Sequence, residues 1–208
     1  MVERVERVEW AVLNRAVLGI LREGRAESKR QFTLMLFSAF NKFNEDAQMS
    51  SKAEAALAVF NSYAGEEEGV GDWFEVDQAR INLFADATMD HQFIHIDPEK
   101  SAELSPYKVT IAHGFLTLSL VVHLGGSVPA KKPEALEGVY MGVNYGLDKV
   151  RFPAPVPVNS KLRARHRLMS AELKGPNTIQ VKREVIIELE GSDKPVCVAE
   201  TLSRLMYG

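Results

Sequence analysis

The sequence predicts an α+β fold in which an antiparallel sheet wraps around one buried helix. Three features of the chain support this class. Apolar residues recur at helical spacing through residues 3–63, Ile111–Leu124 is an almost uninterrupted apolar run, and residues 139–205 alternate apolar with polar side chains. A helix as apolar as Ile111–Leu124 must be covered on most sides, and the strands that follow it supply the cover.

The first sixty-odd residues are expected to form a helical extension. Apolar residues recur every three or four positions over residues 3–23, and again from about Phe32 to Phe43. A third helix is predicted from about Ser51 to Tyr63, because Ser51 with Glu54 three residues later forms a capping box. The apolar faces of these helices need a covering surface, which the same chain, a second subunit or another protein can provide.

The composition changes at Ala64–Asp72, with the sequence AGEEEGVGD. This stretch combines glycines and clustered acids with no apolar period, which is typical of a linker. We therefore predict two parts, a helical N-terminal extension at 1–65 and a main domain at 70–208.

Local signals predict the elements that precede the buried helix. Trp73–Val76 is expected to be a short strand, and Asp77 is expected to cap the helix after it. Pro98 favours the start of a further short helix that runs to Leu104. The apolar run that follows ends at Gly125-Gly126, a common C-terminal signal of helices.

Alternation of side chains predicts the strands of the sheet. One strand is expected over Val139–Val150 and a last one over Pro195–Leu205. Between them, the segments 162–168 and 179–189 alternate mostly apolar residues on the core face with polar and charged residues on the other face, as in half-buried antiparallel strands. The expected core-facing residues of these two runs are Leu162, Ala164, His166, Leu168, Ile179, Val181, Val185, Ile187 and Leu189.

Composition excludes several classes of partner. A formal net charge of -3 and a pI near 6.0 argue against nucleic acid, and no apolar run reaches the length that a membrane span needs. The single cysteine, Cys197, excludes an intramolecular disulfide, and the N-terminal MVERVERVEW is too charged for a secretory signal. We expect a soluble cytoplasmic protein that acts on a small molecule.

Candidate chemistry lies between Phe84 and Ser119. Asp90 and His95 stand five positions apart in a segment too irregular for one helix, and His113-Gly114 opens the buried helix. A carboxylate and an imidazole that share a water form an acid–base pair, and a glycine amide at a helix start can donate to developing negative charge. Each residue also has a structural interpretation, as a cap or as a buried histidine.

Two motifs in this stretch resemble those of a known family. FADATMDHQFIHID, followed by IAHGFLTLSL, is similar to the MaoC-like, (R)-specific enoyl-CoA hydratases of the hot-dog fold, and most of all to their nodulation protein N-like branch. The resemblance covers about residues 70–208, including VRFPAPVPVNSKLRAR. Where the family has Asp-x-Asn-Pro-x-His, this chain keeps Asp90 and His95 but has Gln92 and Phe93 in the Asn and Pro positions.

The resemblance implies an activity and a set of site residues. The activity is hydration of a trans-2-enoyl thioester of coenzyme A to the (R)-3-hydroxyacyl thioester, or the reverse dehydration, in a homodimer without metal or cofactor. Asp90 and His95 would serve as acid and base, in an order that the sequence leaves open, with Gly114 as the oxyanion donor. Substrate-binding positions are expected at Gln92, Phe93, His113 and Phe115.

Two alternatives fit the same residues. One is a hot-dog acyl-CoA thioesterase, which would release free thiol, and the other is a non-catalytic acyl-thioester binding protein, which would bind without turnover. Lys108, Lys149 and Arg151 are candidates for binding the phosphates of coenzyme A. The acyl chain length, the carrier (coenzyme A or acyl carrier protein) and the direction of the reaction stay open.

Overall fold

The computed structural model describes residues 34–38, 41 and 52–208. Residues 34–38 are helical and exposed, and they fall within the helix expected around Phe32–Phe43. The remainder of that helix and the one predicted over residues 3–23 lie outside the described residues. Everything from residue 52 onward belongs to one compact unit, Met49–Gly208.

Helices come first, and long strands follow. The elements of the described chain are α1 (52–61), β1 (Glu67–Val70), β2 (Phe74–Val76), α2 (Gln78–Thr88), α3 (Phe93–Ile96), α4 (Pro98–Leu104), α5 (Gly114–Ser119), α6 (Val121–Gly125), a 3-10 turn (Pro133–Leu136), β3 (Val139–Arg151), β4 (Ser160–Gly175), β5 (Thr178–Leu189) and β6 (Cys197–Tyr207).

The six described strands form one antiparallel sheet. Its order is β1-β4-β5-β6-β3, and β2 pairs with the start of β4. The two-residue turn between β4 and β5, Pro176-Asn177, is closed by the pair Gly175 and Thr178. In β4 and β5 all buried residues belong to the predicted core face, because successive side chains of a strand point to opposite faces, whereas His166 and Leu189 of that face are half-buried. The predicted α+β class is confirmed.

The buried helix is formed by α5 and α6. Leu120 between them keeps right-handed helical angles, so the two pieces follow one another closely. Leu116, Leu120 and Leu124 pack on inward residues of β4, β5 and β6 in one core cluster. The helix starts at Gly114, as predicted from His113-Gly114, and Ile111 of the apolar run lies before it. Ile111 instead forms an isolated bridge with Pro157, which holds this part of the chain extended.

A second core cluster lies under α1. Ala56, Phe60 and Tyr63 pack against Leu168 and Ile179 of the sheet. The third predicted helix is therefore observed, and its covering surface is the sheet of its own chain. Phe60 is 1% exposed, so this contact is a true core contact.

The linker prediction for Ala64–Asp72 was wrong in its centre. Glu67–Val70 is strand β1, which pairs with β4. The acidic residues that suggested a solvated linker are partners of arginines in the sheet: Arg165 binds Glu67 and Arg183 binds Glu68. Within the described residues, no helix is both long and apolar enough to cross a membrane.

Candidate active site

Short helices and tight turns bring Asp90 and His95 to the start of α5. Helix α2 ends at Thr88, and Met89 after it has a positive φ of 62°, which reverses the chain and leaves Asp90 exposed. The four-residue helix α3 then carries His95, and Asp97 caps α4 by accepting a hydrogen bond from the Lys100 amide at 2.9 Å. Helix α3 was not predicted, whereas the Asp97 and Pro98 start of α4 was.

His95 is buried and its tautomer is fixed. Its Nδ1–H donates to the Ile111 carbonyl oxygen at 2.7 Å, so Nε2 carries the free lone pair. Burial is the main cause that lowers the pKa of His95; the nearby His113 lowers it further, against the opposing effects of the Ile111 carbonyl and Asp90. The ring is therefore neutral at pH 7 and able to accept a proton at Nε2.

His113 joins the two halves of the site. It precedes Gly114 at the start of α5 and is 3% exposed. Its Nε2–H donates to the backbone carbonyl oxygen of Asp90 at 2.9 Å, and its ring stacks on that of His95 with centroids 3.7 Å apart and an interplanar angle of 26°. Its Nδ1 is buried and has no hydrogen-bond partner among the described residues.

The side chains of Asp90, His95 and His113 converge. One carboxylate oxygen and one ring nitrogen from each histidine all lie within 4.8 Å of one another. Two groups at this separation can both bond one water, because each hydrogen bond spans about 2.8 Å. The same residue types also bind transition metals, but a single ion cannot lie in the planes of two rings stacked this closely. The arrangement suits a bridging water better than an ion.

Gly114 is required by the packing around it. It is the first residue of α5, where the helix offers no acceptor for its N–H. A side chain there would meet the ring of Phe152, whose atoms lie 3.1–3.2 Å from the position of a Cβ. Glycine therefore lets Phe152 pack on the helix start and leaves the amide open to a ligand.

The predicted substrate-binding residues flank this site. Gln92 is exposed at the start of α3, and Phe93 is half-buried with Lys100 Nζ 5.0 Å from its ring centroid. Phe115 is 69% exposed and meets Phe152 edge-on, with ring centroids 6.1 Å apart. In sequence, Gln92 and Phe93 lie between Asp90 and His95, and Phe115 follows Gly114.

Two of the three residues predicted to bind phosphate already have hydrogen-bond or ion-pair partners away from their neighbours in the chain. Lys149 pairs with Glu200 at 2.7 Å, and Lys108 Nζ donates to the Glu103 carbonyl at 3.1 Å. Arg151 is exposed and bonds only a neighbouring carbonyl among the described residues. Of the three, Arg151 is the one best able to meet an anion.

Sequence reasoning missed a cavity of about 340 Å³ between α6 and the sheet. Neither Asp90 nor His95 lines it; His166, Arg183, Glu68 and Tyr63 do. The signal was present in the strand pattern, because His166 and Arg183 occupy core-face positions among apolar neighbours.

Comparison in sequence places the chain among known proteins. The MaoC like domain matches residues 59–190. The chain is 50% identical over 149 residues to 3-hydroxyacyl-thioester dehydratase Z of Mycobacterium tuberculosis, which covers 72% of this chain and 95% of that protein. It is 43% identical over 154 residues to nodulation protein N of Rhizobium leguminosarum bv. viciae, covering 74% and 93%.

Comparison of structures gives the same fold. A MaoC-like dehydratase from Rhodospirillum rubrum matches with a TM-score of 0.57 at 17% identity, over 71% of this chain and 96% of that one. R-hydratase PhaJ1 from Pseudomonas aeruginosa matches with a TM-score of 0.51 at 20% identity, over 71% and 84%. From its fold and from its sequence relatives together, this chain is a hydro-lyase that belongs to the MaoC-like domain family.

Proposed function

We propose that the protein hydrates trans-2-enoyl-CoA to (R)-3-hydroxyacyl-CoA, or catalyses the reverse dehydration, with Asp90 and His95 acting through one water. The observation that carries the proposal is the approach of the Asp90 carboxylate and a ring nitrogen of His95 to within 4.8 Å. The substrate is the coenzyme A thioester itself, and no cofactor or metal takes part. This is also the reaction class named for the dehydratase and hydratase relatives.

In hydration, the bound water adds across the conjugated double bond. One group of the pair removes a proton from the water while the water oxygen bonds the β-carbon. A proton is then delivered to the α-carbon. Neutral His95 offers Nε2 as an acceptor, since its Nδ1–H is held by the Ile111 carbonyl. A well-placed acid or base contributes about 10²–10⁴-fold to such a step.

Negative charge that develops on the thioester oxygen needs a donor. The Gly114 N–H is unused by its own helix and lies at the positive end of α5. Glycine at this position lets the Phe152 ring pack against the helix start, where a Cβ would lie 3.1–3.2 Å from the ring. Removing one donor of this kind costs about 2.7–4 kcal/mol in a characterised enzyme.

The test is hydration of crotonyl-CoA by point variants, with chiral analysis of the product. Asp90→Asn and His95→Gln are each expected to lower kcat by about 10²-fold or more. His91→Gln is the matched control, since His91 lies in the same segment but is exposed and bonds Asp86. Turnover that survives both substitutions, an (S) product, or release of free thiol without hydration contradicts the proposal.

We also propose that two copies of the chain pair through β3. This 13-residue strand forms one end of the sheet and exposes apolar side chains along its length, among them Tyr140, Met141, Val143, Tyr145 and Leu147. A long apolar edge strand is a site of association, and pairing across a two-fold axis covers it in both copies. Cell fractionation is expected to recover this dimer with cytoplasmic proteins.

Solution mass measurements test the dimer. Light scattering is expected to give twice the chain mass of 23.2 kDa. Val143→Lys should shift the protein toward the monomer, because it places a charge in the proposed interface. Leu173→Lys, on a residue of similar exposure (38% against 39%) in β4, should not. A monomeric wild type, or equal effects of the two lysines, argues against pairing through β3.

A further inference from the structure

The short helix α3, which carries His95, cannot fix its own orientation. The last carbonyls of any helix have no partner inside it, and a helix of a single turn is hardly stable by itself. Groups elsewhere in the chain therefore hold the carbonyls of α3. Phe93 O accepts from the Ser101 hydroxyl at 3.1 Å, and Ile94 O accepts from the Ile111 amide at 2.9 Å. The direction of the His95 ring depends on such outside contacts.

Gln78, the first residue of α2, holds the backbone carbonyl of His95 itself. Its Nε2 donates to His95 O at 2.7 Å and to Asn82 Oδ1 at 2.8 Å. Its Oε1 accepts from the Thr110 hydroxyl at 2.5 Å. A carbonyl oxygen can only accept, so the NH2 end of the Gln78 amide must face His95. The bond to His95 is partly buried and the bond to Asn82 is exposed, so water competes less with the first.

The same amide also holds the segment that bonds the imidazole. The Nδ1–H of His95 donates to the Ile111 carbonyl, and Ile111 follows Thr110, whose hydroxyl donates to Gln78. Thr110 is 1% exposed, and a hydroxyl buried this far needs a partner within the protein. Gln78 thus links the backbone of His95 to the chain segment that fixes its ring.

Helix α2 connects the two members of the proposed acid–base pair. Gln78 is its first residue, and Asp90 lies two residues beyond its last. Asp77 caps the helix by accepting from the Arg80 amide at 2.8 Å, which fixes the end that carries Gln78. Groups attached to a helix are held more precisely than groups on loops. The bond from Gln78 to His95 therefore lets α2 set the position of His95 relative to Asp90.

We propose that Gln78 is a positioning residue for the hydration reaction, because its amide ties His95 to α2 and so keeps the imidazole in reach of the water that it shares with Asp90. Gln78 bonds the carbonyl of His95 and not its ring, so it acts through His95 rather than on the substrate. Displacing a reacting group by about 1 Å can lower a rate by about a hundredfold. The inference rests on the proposed function, since it assumes that His95 and Asp90 act on one water.

The test measures kcat and KM for crotonyl-CoA hydration in variants of Gln78, under conditions where urea unfolding shows each variant to be folded. Gln78→Glu keeps the shape of the side chain, but its carboxylate has no hydrogen to donate to the His95 carbonyl. We expect kcat to fall by about tenfold or more and KM to change by less than about twofold, because the imidazole moves while the binding surface stays. Gln78→Met, which adds no charge, should show the same pattern.

Asn82→Ala is the matched control. It removes the other bond of the same Gln78 nitrogen, from an exposed residue of the same helix, so kcat should stay within about twofold of wild type. Two substitutions of Thr110 leave Gln78 in place. Thr110→Val removes the hydroxyl that orients the Gln78 amide and should lower kcat severalfold, whereas Thr110→Ser keeps a hydroxyl and should retain most of the activity.

The inference is overturned if both Gln78 variants have the kcat of wild type, if only KM changes, or if Asn82→Ala loses as much activity as they do. If the Gln78 variants do not fold, the Thr110 pair decides, and equal kcat in Thr110→Val and Thr110→Ser overturns the inference. In each of these cases, hydration that depends on Asp90 and His95 still supports the proposed function. Absence of crotonyl-CoA hydration by wild type overturns both.

Discussion

His113 donates its Nε2–H to the backbone carbonyl of Asp90 at 2.9 Å while its ring lies 3.7 Å from that of His95. One buried imidazole thus touches both members of the proposed acid–base pair. It also immediately precedes Gly114, the proposed oxyanion donor. Since its own contacts are to a backbone carbonyl and to another ring, His113 acts as a positioning residue that fixes three groups relative to one another.

Replacing His113 tests this role. His113→Phe keeps an aromatic ring beside His95 but loses the bond to Asp90, so kcat/KM for crotonyl-CoA is expected to fall by about tenfold. Burial is the main cause of the lowered pKa of His95, with His113 adding to it, so the variant should also move the acidic limb of the pH profile to higher pH. His123→Phe is the control. If wild type and His113→Phe have the same pH profile, His113 has only a structural role in the core.

A methyl group at Gly114 should displace Phe152. The Cβ of Gly114→Ala would lie 3.1–3.2 Å from the ring, which is too close for the ring to stay in place. We expect kcat/KM to fall about tenfold or more, because the amide moves with the helix start. Phe152→Leu in the same chain should restore part of the activity. Gly175→Ala, with its Cβ 4.0 Å from Thr178, is the control. If Phe152→Leu does not restore activity, the methyl group at position 114 blocks the ligand directly.

The stability of the sheet should depend on α1. Phe60→Ala removes a side chain that is 1% exposed and packs with Leu168, so the free energy of unfolding is expected to fall by about 3–5 kcal/mol. Glu54→Ala, on the exposed side of the same helix, should change it by less than about 0.5 kcal/mol. Urea unfolding of both variants gives the comparison, and similar values for the two would mean that α1 does not belong to the core.

Local sequence signals correctly predicted the helix starts that depend on contacts between residues close in the sequence. Asp77 and Asp97 cap their helices by accepting bonds from amides three residues on, so the few letters around each were sufficient. The start of the buried helix at Gly114 was also predicted, whereas the bridge that holds Ile111 extended was not, because its partner Pro157 lies far along the chain. β1 was missed for a similar reason, since Glu67 is stabilised by Arg165, 98 positions away.

The candidate site shows the same division. The residue types and spacing of Asp90, His95 and Gly114 indicated the chemistry. The bond from His113 to the Asp90 carbonyl crosses 23 positions, and the packing of Phe152 on Gly114 crosses more, so neither is visible in a local pattern. His166 was visible only as an imidazole among core positions, and no local pattern indicates that its Nε2 is buried without a hydrogen-bond partner among the described residues.

The neutral state of His166 should make stability depend on pH. The folded pKa is about 4, against an ordinary value of 6.5, because burial and then Arg183 disfavour the charged ring, with Glu68 acting in the opposite direction. Between these values the unfolded chain binds the proton and the folded chain does not, so stability falls as the pH drops from about 6.5 to about 4, by up to roughly 3 kcal/mol, and not further below.

The measurement is urea unfolding of wild type and His166→Leu from pH 7.5 to pH 4. Other groups, among them His95, titrate in both proteins, so the difference between the two curves isolates His166. Since leucine takes up no proton, His166→Leu should gain stability relative to wild type as the pH falls through this window. Two parallel curves would mean that the imidazole is as easily protonated in the folded chain as in the unfolded one, and therefore that the cavity around it is open to water.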